Sequence, residues 1–167
     1  MGRQHLEVLR GLDGFEAIGV CGVLEENLQR AAGEYGVAAC YTDFDEMYSA
    51  LKPDLVTVAT QTRGHCAPSV AALNREISVL CEKPIAIDLA EADEMVEAAA
   101  ASGAKLAINQ QNHLNSGIVR GRQMVEDGVI GHLVLVRGRN KCGRKSGNEF
   151  TEMGTHVTDM MLCFGGV

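Results

Sequence analysis

From residue 16 to about residue 110 the chain alternates short apolar runs with longer segments in which apolar residues recur every three or four positions. The runs are Ala17-Ile18-Gly19-Val20-Cys21, Val37-Ala38-Ala39-Cys40, Leu55-Val56-Thr57-Val58-Ala59, Ile77-Ser78-Val79-Leu80-Cys81 and Leu106-Ala107-Ile108. They are apolar nearly throughout, so each is expected to be a strand covered on both faces, and strands of that kind belong to parallel sheets. Strand and helix alternating in this rhythm is the pattern of βαβ units. Helix starts are marked chemically. Asp43 with Glu46 and Asp88 with Glu91 have the spacing of capping boxes. The second opens Leu89 to Ala101, where Leu89, Ala92, Val96 and Ala99 form the expected buried stripe and Glu91, Glu94 and Glu97 largely avoid it.

After Gln110 the texture changes. A polar stretch, Gln111 to Ser116, leads into a helical segment around Ile118 to Glu126, then Gly131 and Leu133-Val134-Leu135-Val136. Arg137, Arg139 and Lys141 alternate with Gly138 and Asn140, and period two with charge on one face predicts a half-exposed strand of a second, open sheet. The expected organisation is α/β: a doubly wound parallel sheet over residues 1–112, then the beginning of a second α/β domain over residues 113–167.

Composition narrows the functional classes. With 167 residues, 46% hydrophobic and 22% charged, the chain can bury one sizeable core and is not a disordered tail. Lys and Arg number 15 against 22 Asp and Glu, a net charge of -7 with no basic cluster, which argues against nucleic acid and anionic membranes as partners. The apolar stretches are strand-sized, so no spanning helix is expected, and Met1-Gly2-Arg3-Gln4-His5 does not open a signal peptide. Cysteines stand at 21, 40, 66, 81, 142 and 163 without a C-x-x-C, which argues against a disulfide framework or structural zinc and for a reducing cytoplasm. Cys21, Cys40, Cys81 and Cys163 fall in or beside apolar runs, where a free thiol behaves as a small hydrophobe.

Two constellations can carry chemistry. Cys81-Glu82-Lys83-Pro84 lies where a strand should end, and Pro84 holds Lys83 extended at the exit. Ligands of open parallel sheets bind outside the carboxyl ends of the strands, where a lysine can donate to a substrate oxygen. On spacing alone, a surface lysine in a strand-to-loop turn is the more economical reading. The second constellation is Glu152, His156 and Asp159, which offsets of four and seven bring onto one helical face, away from Val157, Met160, Met161 and Phe164. A carboxylate beside an imidazole fixes its tautomer and raises its basicity, as a general base requires. A metal site of the same three ligands and a purely structural helix start stay open beside that reading. His5 and His132 have no partner at useful spacing and read as surface or packing residues, whereas His65 follows Val58-Ala59-Thr60 in the loop at that strand's exit.

Taken together, Val58-Ala59-Thr60, His65, Cys81-Glu82-Lys83-Pro84 and Gly154-Thr155-His156-x-x-Asp159 resemble, in order, interval and strand context, the glucose-fructose oxidoreductase, inositol dehydrogenase and rhizopine-catabolism (Gfo/Idh/MocA) family. The resemblance implies an N-terminal Rossmann domain for a nicotinamide dinucleotide and a C-terminal α/β domain supplying much of a substrate pocket. It implies that Lys83 and His156 act at an alcohol carbon, with Glu152 at the position of the family's aspartate and Asp159 behind His156 or on a substrate hydroxyl. It sets Thr60 and His65 along the nicotinamide side of the cleft, Glu82 near the nicotinamide ribose, and Lys83 between cofactor and substrate; no metal is implied. Two departures stand out: Glu152 is one methylene longer than aspartate, and Asn112 stands where arginine is frequent.

At the front, Gly2 matches the last glycine of G-x-G-x-x-G entering the first helix, so the first strand and two glycines are expected upstream of Met1, and the chain is expected to be a fragment cut at both ends. An acidic residue about 20 positions past the first glycine binds the ribose in this pattern. Gly22 occupies that place, with Glu25 and Glu26 a turn later and no arginine ready for a 2′-phosphate; NAD is the expected cofactor, with NADP left open. The expected activity is hydride transfer between that cofactor and a secondary alcohol of a sugar, polyol or cyclitol, in a homo-oligomer when full length. A non-catalytic dinucleotide-binding regulator and an NAD-dependent glycoside hydrolase are the rival expectations. Translation of the DNA upstream of Met1 should reveal an in-frame strand ending in G-x-G, and a stop codon there would defeat the expectation.

Overall fold

All five apolar runs form strands in the computed structural model, which describes residues 1–140 and 153–166. The chain divides into two units, Met1–Ile108 and Asn109–Val167. In the first, helix α1 (Gly2–Arg10) precedes β1 (Gly19–Cys21), α2 (Glu25–Tyr35), β2 (Ala39–Tyr41), α3 (Phe44–Leu51), β3 (Leu55–Val58), α4 (Cys66–Leu73), β4 (Ser78–Cys81), α5 (Leu89–Ser102) and β5 (Leu106–Ile108). Every strand pairing is parallel: β3 runs beside β4 from Leu55 opposite Ser78 to Val58 opposite Cys81, and β5 joins the far side of β4. The core lies between these strands and their helices, with Val56, Val58, Val79 and Cys81 packed among Met47 and Tyr48 of α3, Ala72 and Leu73 of α4, and Met95 and Ala98 of α5.

The parallel strands do not form one continuous sheet. They fall into a pair, β1-β2, and a triplet, β3-β4-β5, and β1 and β3 are each hydrogen-bonded on one side only among the described residues. In the doubly wound order 3-2-1-4-5-6 these are the two strands that flank the central one.

The predicted caps are present: the Asp43 carboxylate accepts from the Glu46 amide at 2.9 Å and that of Asp88 from the Glu91 amide at 3.0 Å. Helices α2 and α5 stop at Gly36 and Gly103, both left-handed, where a Cβ would be strained. The buried stripe of α5 differs from expectation. Leu89 and Val96 face solvent, and Met95 and Ala98 enter the core. Because α5 carries alanine on every side, period alone does not choose its face, and Met95 fills the core with no exposed surface.

The second unit contains a 3₁₀ turn at Gln111–Leu114, α6 (Ser116–Glu126) and α7 (Thr155–Gly165). Asn115 caps α6 by accepting from the Gly117 amide at 2.9 Å. The strand expected over Leu133 to Lys141 is not formed within its described part, residues 133–140. A strand needs a partner edge; instead Gly138 lies against α7, where a Cβ would overlap Val157 and crowd Met161. Lys141 falls outside the described residues. No described helix is long and apolar enough to cross a membrane.

No disulfide joins the described cysteines. Burial pushes the thiols of Cys66 and Cys81 up to about 11, so both stay protonated at pH 8. Both should react with iodoacetamide far more slowly in the native chain than in urea, as mass spectrometry would register; equal rates would contradict their burial. Leu73→Ala should cost about 2–5 kcal/mol and Val96→Ala under about 1 kcal/mol in urea unfolding. Equal losses would return Val96 to the buried face.

Candidate functional site

The carboxyl ends of β3 and β4 gather most of the residues that the sequence singles out in the first unit. Glu82 continues β4 by one residue, its amide donating to the Val58 carbonyl at 2.8 Å. Its side chain is buried, and a buried carboxylate needs donors. His5, one turn into α1, supplies one: Nε2 donates to Glu82 Oε1 at 2.8 Å, with both side chains nearly out of water. The backbone amide of Lys83 donates to the other oxygen, Oε2, at 3.3 Å. Lys83 itself is half-buried, and its bond to Pro84 is cis. The reading of His5 as a residue without a partner is therefore corrected: it lies far from Glu82 in sequence, and only the packing of α1 against β3 joins them.

His65 is turned inward, only 1% exposed, rather than presented along a cleft. Its Nδ1 donates to the Pro84 carbonyl at 2.8 Å, and Nε2 sits 3.2 Å from the Thr60 carbonyl. With both ring nitrogens facing backbone oxygens, the ring has no polar atom left for a cofactor; it links the exit of β3 to the turn after β4. Thr60 is exposed, but its hydroxyl donates to the Gly64 carbonyl at 2.8 Å, and a Cβ at Gly64 would press on that oxygen at 3.1 Å. Gly2 begins α1 beside the end of β3, where a Cβ would come to 3.9 Å from that of Ala59.

In the second unit His156 and Asp159 stand in the first turns of α7, and Glu152 lies outside the described residues. Asp159 pairs with His113, whose Nε2 donates to Oδ2 at 2.8 Å. The Asn112 amide donates to Nδ1 of His156 at 3.4 Å. The 3₁₀ turn thus offers neighbouring side chains to neighbouring groups of α7. The sequence marked Asn112 as a departure and passed over His113; a polar turn bearing an amide and an imidazole in succession was the available signal. Among the described residues no group of three or more His, Cys, Asp or Glu is placed to hold a metal ion.

Two cavities touch none of these residues: one of about 390 Å³ lined by Gly121, Met124, Ile130, Leu135 and Phe164, the other of about 490 Å³ at the opposite, amino end of β3 and β4, by Lys52, Asp54 and Arg75. The chemistry sits instead at the strands' carboxyl ends. The residues there fit a dinucleotide: a glycine leaves the entrance of α1 bare, and first-turn amides suit a pyrophosphate. Gly22 packs on Leu28, where a Cβ would meet Cδ2 at 3.3 Å, and Glu25 and Glu26 occupy the exposed first turn of α2.

Comparison with known proteins agrees with the parallel α/β fold. Inositol 2-dehydrogenase of Salmonella typhimurium is 28% identical over 143 residues, covering 84% of this chain and 43% of the relative. D-glucoside 3-dehydrogenase of Escherichia coli is 31% identical over 160 residues, covering 88% and 46%. The chain spans less than half the length of these two relatives. In fold it matches scyllo-inositol dehydrogenase of Lactobacillus casei, solved with NAD(H) and scyllo-inositol, with a TM-score of 0.91 at 23% identity over 99% of this chain and 53% of that one. Residues 1–110 match the oxidoreductase family with an NAD-binding Rossmann fold. The chain belongs to the Gfo/Idh/MocA oxidoreductase family.

Proposed function

We propose that the protein oxidises a secondary alcohol of a sugar, polyol or cyclitol. The observation that carries this reading is the Glu82-Lys83-Pro84 turn, fixed at the carboxyl end of β4 and joined through Glu82 to the helix whose entrance suits a pyrophosphate. The named inositol and glucoside dehydrogenases support the substrate class. NAD, when bound, accepts the hydride from the alcohol carbon.

Gly2 and the first-turn amides of α1 hold the pyrophosphate. Lys83 donates to the substrate oxygen, limiting its orientation and stabilising the charge that develops as the proton leaves. His156 takes that proton. To take it at Nε2 the neutral ring must carry its own hydrogen on Nδ1, so the Asn112 carboxamide turns by a half and its oxygen accepts from Nδ1–H in the neutral ring and in the imidazolium alike. Asp159, held by His113, faces a substrate hydroxyl, and Glu152 assists at the position the family gives to aspartate. Thr60 and His65 shape the loop on the nicotinamide side, where the exposed Thr60 hydroxyl, donating to Gly64, can still accept, and Glu82 keeps the turn near the ribose.

The test is NAD reduction by the gene-encoded protein across a panel of inositols, aldoses and glucosides. Lys83→Ala should lower kcat about 10²–10⁴-fold while the Kd for NAD stays within about threefold; unchanged turnover would remove Lys83 from the reaction. His156→Ala should lower kcat comparably, and an unaltered rate would move the base elsewhere.

A further inference from the structure

We infer that His5 and His65 are positioning residues for Lys83, gripping the Glu82-Lys83-Pro84 turn from two sides. What Lys83 does rests on the reaction proposed above, whereas the grip stands on geometry alone. From α1, Nε2 of His5 holds Oε1 of Glu82 at 2.8 Å, and Oε2 of the same carboxylate holds the Lys83 amide at 3.3 Å. From the loop before α4, Nδ1 of His65 holds the Pro84 carbonyl at 2.8 Å. The backbone is therefore fixed at the amide of Lys83 and at the carbonyl of the residue after it.

Packing alone does not call for histidine at either place. An imidazole nearly out of water is costly unless its nitrogens are bonded, and an apolar side chain would fill the same space without that requirement. Both rings instead address polar atoms of one three-residue turn, and Lys83 gains most from a fixed backbone because its four-carbon stem is long and flexible. A small displacement at its root is carried to the ammonium, and misplacement of a reacting group by about 1 Å costs about a hundredfold in rate.

The two histidines use different nitrogens, which makes the grip testable by a crossed pair of substitutions. The amide nitrogen of glutamine reaches about as far as Nε2 and that of asparagine about as far as Nδ1. His5 should therefore be replaceable by Gln and not by Asn, and His65 by Asn and not by Gln. Hydrogen exchange at the Lys83 amide is read in H5Q, H5N, H65N and H65Q, with the Val79 amide, bonded to Lys105 at 2.7 Å inside the sheet, as the control for overall folding. Exchange at Lys83 should rise about tenfold or more in H5N and H65Q and stay within about threefold in H5Q and H65N, Val79 remaining constant throughout.

In the gene-encoded protein, kcat should fall about tenfold or more in H5N and H65Q with KM and the Kd for NAD within about threefold, and H5Q and H65N should restore most of the loss. Equal effects of Asn and Gln at both positions, or Val79 exchange rising together with Lys83, would overturn the proposal by reducing the histidines to packing. Where H65Q fails to fold, the His5 pair decides alone. If the crossed exchange pattern appears in a protein that turns over none of the alcohols, the grip stands and the dehydrogenase reading falls.

Discussion

A carboxylate taken out of water must be met by donors, and the first unit is arranged around one such group. Withdrawing a carboxylate from solvent costs several kcal/mol, which only well-placed partners offset. Glu82 sits one residue beyond β4, so its partners have to come from whatever else reaches the carboxyl end of the sheet. One is the Lys83 amide and another is His5, delivered by α1. The bond to His5 joins the helix that opens the unit to a turn 77 residues later, and it therefore forms only when β3, β4 and α1 are all in place. Parallel pairing makes this convergence possible, because all the strands release their chains at the same end.

The element types were legible because they follow from local rules. Apolar runs without alternation describe strands with two covered faces, and all five became strands; Asp43 and Asp88 announced their helices through a side-chain oxygen placed three residues before a waiting amide. The face of α5 was not legible, since a helix rich in alanine presents nearly the same surface in several directions. There the volume of Met95 decided, a property of the cavity it fills and not of its spacing. The run at 133–140 misled for a related reason: alternation shows that a segment can serve as a strand, while pairing depends on an edge elsewhere in the protein.

Within the candidate site, the motif residues were singled out by type and interval, whereas their partners were not. His5 looked idle because its contact is long-range. His65 looked like a cleft residue because it follows a strand exit, yet its ring is turned inward, Nδ1 donating to the Pro84 carbonyl. Sequence spacing can place a residue at the right end of a sheet; which way a side chain turns there is set by the unsatisfied backbone groups nearest to it. In the second unit Asp159, expected behind His156 or on a substrate hydroxyl, bonds to His113.

In the reaction proposed above, the two units carry different demands. The family match covers residues 1–110, nearly the whole of it the first unit, which holds the glycine at the entrance of α1, the strands' carboxyl ends and the Glu-Lys-Pro turn. In the reaction proposed above, discrimination among alcohols falls to Asn112, His113 and Asp159. An amide in place of a guanidinium at position 112 changes a permanent cation with a rigid fork of donors into a neutral group that both donates and accepts. That exchange suits holding an imidazole better than gripping a charged or multiply hydroxylated substrate. On the proposed reading, the choice of alcohol should therefore rest less on residue 112 than on the polar pairs that the 3₁₀ turn at Gln111–Leu114 builds with α7.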